Sequence, residues 1–398
     1  VKPAEDAAAG EPASLLSVVL VTALGSVSGG VFWTGVFFVT REHYRFSAAE
    51  NLTLALVMGT GYALVARSAG AVSRRFERVG VRRLAALGFV AWALVASLPG
   101  FVASRLGMWL CAVLGAAIPG VIWPVMESYL GGGRHGPELR RGLGSYNLTW
   151  TCSTAVPLLA FPWLTRLSPL GPLYLCTLTN LLALAALLGL PLKPAPSHAE
   201  HAQAAVGREY PALLRASSWL LPVSYLLLSA VSPILPHRLS ELGTPVPPAL
   251  VAATWMVARF TSLGVMAALP YWHGRWEALV LAGAALLIGV ALTLLAATLP
   301  LVVLGLALFG AGLGITYFCS IYYALSVGHA AVDAGGGFEA LIGVGYMLGP
   351  LVGLSGQLMP SGFEERGTVL LAWAAALAGG AAAARPYFAA RRRRRDAR

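Results

Sequence analysis

Twelve apolar runs, each close to the length of a membrane-spanning helix, follow one another through this chain of 398 residues. They fall at 14–39, 48–69, 84–102, 106–129, 145–165, 170–192, 218–236, 248–270, 277–297, 301–325, 337–358 and 368–389, and Gly, Pro or charge separates each from the next. A helix needs roughly 20 apolar residues to cross the hydrocarbon of a bilayer. With 57% hydrophobic and only 11% charged residues, the chain lies outside the range of soluble domains. The opening stretch, VKPAEDAAAGEPAS, is short and polar and has no cleavable apolar core, so the first run is expected to stay as a span.

Charge follows the connections. An even number of spans puts both termini on one side. If that side is the cytoplasm, twenty of the 28 Lys and Arg residues lie there, six lie outside, and Arg67 and Arg259 fall within spans. The positive-inside rule therefore favours cytoplasmic termini in the cytoplasmic (inner) membrane. The net charge of +11 needs no nucleic-acid partner, because no soluble basic face or known nucleic-acid module is present. The closing RRRRRDAR is read as a topology anchor that also meets anionic lipid headgroups. Cys111, Cys152, Cys176 and Cys319 stand alone within apolar runs and are expected to be small core residues. The seven histidines are dispersed without ligand spacing, so neither a metal nor a cofactor is expected.

The longest polar interval runs from Lys193 to Ser217 and divides the chain into two sets of six helices. The expected organisation is an amino-terminal bundle at 1–192, a cytoplasmic linker at 193–217, and a carboxy-terminal bundle with a basic tail at 218–398. A weak internal repeat supports it. Asn147, Trp150, Ser153 and Pro157 recur in spacing as Glu339, Ile342, Gly345 and Gly349, on the fifth span of each half and after a Gly-rich polar loop. Small residues at helical spacing, Gly25 and Gly29, Gly310 and Gly314, and Gly345, Gly349 and Gly353, predict close helix packing.

In layout the chain resembles the major facilitator superfamily of secondary transporters. Between its second and third spans that family carries Gly-x-x-x-Asp-Arg-x-Gly-Arg-Arg, and the corresponding stretch here is SRRFERVGVRR. Glu77 stands for the acid, Arg78 and Gly80 match, and Arg82 and Arg83 follow after one inserted residue. The resemblance implies a gating role for Glu77, Arg78 and Gly80 on the cytoplasmic side. The family's antiporter run, Gly-x-x-x-Gly-Pro on helix five, is missing there and occurs instead as GYMLGP on helix eleven. The implied fold is an all-α membrane protein with twelve transmembrane helices in two pseudo-symmetric six-helix bundles.

Arg259, in TWMVARFTSLGVMAALP, is the residue that most needs a reason. An ionised side chain near the bilayer centre costs at least about 2.5–3.5 kcal/mol, and Arg259 is about eleven residues from either end of its run, too far to snorkel. It is expected either to bind an anionic group in a central cavity or to serve as a structural cation bonded to carbonyls or a buried acid. Glu127 and Glu339 are the acids best placed for coupling to protons, Glu339 having the alternative of a first-turn cap or interface residue. Asn147 is positioned to bond across helices and is a candidate solute contact. Helices one, four, seven and ten line the family's cavity, so by resemblance Trp33, Trp123, Tyr225 and Tyr317, with Tyr322 and Tyr323, form an aromatic wall. Pro124, Pro233 and Pro236 are expected to bend or break their helices.

These features predict a monomeric secondary transporter for a small organic solute, anionic or zwitterionic, working by alternating access with proton coupling as an option. A hydrophobic-compound exporter and a non-transporting sensor with the same fold are the alternatives. No Gly-rich phosphate loop ending in Gly-Lys-Ser/Thr supports ATP hydrolysis, and no clustered His, Asp, Glu or Ser at one membrane face supports an enzyme.

Overall fold

The computed structural model describes residues 12–76, 78, 80–134, 136–195, 209–243, 245–326 and 332–396, and every regular element among them is helical. The first apolar run forms α1 (Leu15–Gly30), one π-helical turn (Val31–Gly35) and α2 (Val36–Glu42) in succession. Then come α3 (Ala48–Phe76), α4 (Val81–Phe101), α5 (Arg105–Ala117), α6 (Pro119–Gly131), α7 (Gly136–Leu167) and α8 (Gly171–Ala186). The second half of the chain holds α9 (Tyr210–Val231), α10 (Leu235–Glu241), α11 (Pro248–Ala268), α12 (Glu277–Leu295), α13 (Leu299–Ser326), α14 (Val332–Gln357) and α15 (Glu364–Asp396).

Eleven helical segments among the described residues are long and apolar enough to cross a membrane. The expected fifth span, within α7, is not one of them although α7 runs for 32 residues. Asn, Thr, Ser, Trp and Pro dilute its apolar run.

Local chemistry explains where the helices depart from the apolar runs. The run at 106–129 is split at Ile118, because Pro119 has no N–H to donate and starts a new helix. Pro124, by contrast, stays inside α6, and Pro233 lies in the turn between α9 and α10. The seventh helix begins at Tyr210, eight residues before its expected start and inside the stretch read as linker. Its polar-looking first turns keep a buried face at Ala212, Leu213, Ala216 and Ser217. Residues 196–208 of that linker lie outside the described residues. Of the cysteines, Cys111, Cys176 and Cys319 are buried as expected, whereas Cys152 is exposed on the outer side of α7.

Two long helix pairs make most of the contact between the halves of the chain, α3 along α14 and α7 along α11, with smaller contacts of α6 on α14 and α2 on α10. Each half thus contributes two long helices to these contacts. The α3 and α14 backbones come into direct contact at Gly59, where a Cβ would collide with the main chain of Tyr346 and Met347. Within the second half, Gly310 lets α13 press its backbone onto that of α11 at Trp255, and Gly314 does so near the Arg259 carbonyl. This contact fixes the turn of α11 that carries Arg259.

The Arg134 guanidinium, 4% exposed, secures one face of the bundle. It donates to the carbonyls of Tyr129 and Leu130, both at 2.9 Å, and to that of Ala13. The start of α1 is thereby held against the end of α6, whose last carbonyls gain donors.

Gly59→Val should force α3 and α14 apart, since backbone cannot yield as a side-chain tip can. A destabilisation of about 1–3 kcal/mol is expected, read as a lower Tm of the detergent-purified protein.

Candidate functional site

A cavity with about 730 Å³ of empty space, partly continuous with solvent, lies between the halves and is lined from both. The first half contributes Ser26 and Gly29 from α1, Trp33 from the π turn, Tyr62 from α3, Trp123 and Glu127 from α6, and Tyr146, Trp150 and Thr154 from α7. From the second half come Tyr225 on α9, Trp255, Met256 and Arg259 on α11, Tyr317 on α13, and Glu339, Ile342 and Tyr346 on α14. The π turn adds a residue to the helical repeat at Trp33, a local irregularity common at functional positions.

Arg259 is 4% exposed and makes neither of the two contacts expected of a structural cation. Among the described residues it pairs with no acid and donates to no carbonyl. One Nη donates to the Tyr225 hydroxyl at 2.7 Å. The guanidinium carbon lies 4.6 Å from the Trp150 ring centre and 5.4 Å from those of Tyr225 and Tyr317. Its Nε is buried without a partner. Desolvated cation–π contacts can each be worth about 2 kcal/mol, enough to offset much of the insertion cost while leaving the formal charge unneutralised.

Asn147 acts behind this cage rather than in the cavity. Buried at 2% exposure, it accepts a hydrogen bond from the Trp150 indole N–H at 3.1 Å, and so sets the ring beneath Arg259. The bond expected across helices is instead made within α7, one turn along.

Glu339 is not in a first helical turn: α14 begins at Val332, leaving the carboxyl two turns inside the helix, 7% exposed. It accepts a hydrogen bond from the Tyr62 hydroxyl across the α3–α14 contact. The neighbouring rings are continuous. Trp33 stacks on Tyr346 at 3.8 Å and 15°, Tyr62 meets Trp33 edge-on at 5.4 Å, and Tyr225 meets Tyr346 at 5.2 Å. Glu127 lies one turn beyond Trp123 on the same face of α6.

Seven of the residues singled out in the sequence therefore meet in one space: Trp33, Trp123, Glu127, Tyr225, Arg259, Tyr317 and Glu339. Tyr322 and Tyr323 do not join them. They belong to a separate aromatic cluster with Tyr210, Trp272 and His273, one helical turn or more past Tyr317 on α13. Tyr62, Tyr146 and Tyr346 went unnoticed in the sequence. For Tyr346 a signal existed: Glu339, Ile342 and Tyr346 follow the i, i+3, i+7 face of α14, as Asn147, Trp150 and Thr154 do on α7.

Of the loop between α3 and α4, Glu77 lies outside the described residues and Arg78 is exposed. Gly80 adopts φ 97°, a conformation that favours glycine, and a Cβ there would approach the Leu192 carbonyl at 2.9 Å. Arg82 donates to the Leu190 carbonyl at 2.6 Å, so the loop is joined to the chain leaving α8.

At the opposite face the two halves touch through a small polar contact set. Buried Asn51 on α3 accepts from Thr40 at 2.7 Å and donates to the carbonyls of Phe37, at 3.3 Å, and Pro233, at 3.4 Å. Nearby, His237 Nε2 donates to the Phe46 carbonyl at 3.1 Å, which leaves Nδ1 buried without a partner. Burial lowers the His237 pKa from its ordinary value; the Phe46 carbonyl opposes this, and the Arg41 charge adds to it.

Sequence and fold comparisons agree with this architecture. The Major Facilitator Superfamily model matches residues 18–353, and the chain belongs to that family. No curated protein matches it in sequence. Among solved structures, a nucleoside transporter, NupG, superposes with a TM-score of 0.66 at 14% identity, covering 92% of this chain and 98% of the other. A structure described as giving insight into substrate recognition in proton-dependent oligopeptide transporters gives 0.70 at 12%, covering 96% and 99%. A bacterial homologue of the human lysosomal transporter Spinster, inward-facing and unoccupied, gives 0.62 at 15%, covering 95% and 96%. At such identities the likeness is one of fold. The chain is a multi-pass membrane protein with a transporter fold.

Tyr225→Phe keeps the ring over Arg259 and removes the hydroxyl, so a loss of about 1.5–3 kcal/mol is expected, seen as a reduced Tm. His237 gives a pH dependence of definite sign. Its folded pKa is depressed, so the stability of the buried neutral imidazole is complete above the ordinary histidine value and is lost as pH falls below it, because the charged ring is desolvated beside Arg41. The drop in Tm between pH 7.5 and pH 5.5 should shrink in His237→Gln.

Proposed function

We propose that this protein is a secondary active transporter that moves a small organic solute bearing an anionic group, anionic or zwitterionic, across the cytoplasmic membrane by alternating access. The observation that carries the proposal is Arg259, a buried cation with no acid partner among the described residues, lining a cavity to which both halves contribute. A guanidinium held by rings keeps its charge and a free Nε for a carboxylate or phosphate. In this reading α7 is the twelfth span, the two halves are six-helix bundles, and both termini are cytoplasmic, in accord with the distribution of Lys and Arg.

The face joined by Asn51 and His237 is then the outer one, and its hydrogen bonds keep the cavity closed on that side. Rocking one bundle against the other must break these contacts and re-form others near the α3–α4 loop, where Glu77, Arg78 and Gly80 would act. Glu127 and Glu339 are the groups through which protons would couple to solute movement. Glu339 is the more informative of the two, because its hydrogen bond to Tyr62 crosses the moving interface. The aromatic walls also suit a hydrophobic compound, so lipophilic probes belong in the test.

The test is uptake into proteoliposomes and thermal stabilisation, using organic anions, amino acids, sugars and lipophilic cations. One anion-bearing class should stabilise the protein and be transported, and Arg259→Ala should abolish both while the protein still unfolds cooperatively. Stabilisation by lipophilic cations that Arg259→Ala leaves intact would turn the assignment to an exporter of hydrophobic compounds.

A further inference from the structure

The cavity is lined by a guanidinium and by carboxyl groups that do not pair with it. Arg259 pairs with no carboxylate among the described residues, and Glu127 has no hydrogen-bond partner among them, although both line the same space. Glu339 is already engaged by the Tyr62 hydroxyl. If only an anion were bound, the Glu127 carboxyl would stay without a partner in the filled cavity. A ligand with both signs of charge turns the pair into an asset. Its carboxylate meets the guanidinium, and its ammonium meets Glu127.

The walls define the remainder of the ligand. Trp123 stands one turn from Glu127 on the same face of α6, and Trp150 is fixed beneath Arg259 by Asn147. Each charged site therefore has an indole beside it, and indole faces attract both ammonium groups and flat apolar bodies. An extended polyanion would leave the Trp123 indole without a partner.

Resting on the transport reading above, we infer that the solute is a zwitterion with an aromatic or bulky apolar body, bridging Arg259 and Glu127. The geometry makes Glu127 a specificity-determining residue: it distinguishes an amino acid from the corresponding simple acid.

Calorimetric titration of the full-length protein in detergent with three related probes tests this. Phenylalanine carries both charges, 3-phenylpropionate lacks the amine, and phenethylamine lacks the carboxylate. Phenylalanine should bind at least tenfold more tightly than either analogue. Glu127→Gln should close the gap between phenylalanine and 3-phenylpropionate, and Arg259→Gln should close the gap between phenylalanine and phenethylamine. Should Arg259→Gln not fold, the ranking in the parent protein and the Glu127→Gln arm still decide. Equal binding of 3-phenylpropionate and phenylalanine, or a ranking unchanged by Glu127→Gln, overturns the zwitterion and leaves an anion transporter centred on Arg259. Preference for phenethylamine that ignores Arg259 removes both readings. Absence of saturable binding by all three overturns the inference, and the proteoliposome panel then judges transport separately.

Discussion

A permanent cation held by rings is the interaction on which the middle of this molecule depends. Arg259 is placed by the close approach of α13 to α11, oriented by the Tyr225 hydroxyl, and covered by Trp150 and Tyr317. Those groups come from three helices besides α11 itself, and α7, which supplies Trp150, belongs to the other half of the chain. Aromatic quadrupoles lower the energy of a buried guanidinium without cancelling its charge. A carboxylate in their place would have stabilised it more and left it nothing to offer a solute.

The same economy governs the interface between the halves. Long contacts along α3–α14 and α7–α11 rest on small residues and ring edges, with few side-chain hydrogen bonds across them. Apolar surfaces of this kind can slide or tilt without leaving polar groups unpaired. The hydrogen bonds that do cross are concentrated at Tyr62–Glu339 in the cavity and at Asn51 and His237 on one face. These are the points at which a change of conformation has a definite energetic cost.

Much of this was legible in the sequence because membranes impose simple rules. Run length and the rarity of charge exposed the helices, and an arginine in mid-helix exposed the site. What was not legible depended on three-dimensional register. Tyr322 and Tyr323 looked equivalent to Tyr317, but five and six residues further along α13 place them at a different level and in another cluster. Tyr62 resembled any membrane tyrosine until α14 was brought against α3. Glu339 was misplaced in its helix because the Gly-rich stretch before it, unpromising by propensity, continues α14 upstream. Asn147 was recognised as polar and buried, but the indole it serves is its own neighbour one turn away.

The described parts of the connection between the halves are anchored at both ends. Ala195 is buried and follows a segment bonded to Arg82 and Tyr129, and the chain is helical again from Tyr210. Contact between the halves is concentrated where α3 meets α14 and α7 meets α11, with smaller contacts of α6 on α14 and of α2 on α10, so the two long seams dominate how stiffly one half is held against the other.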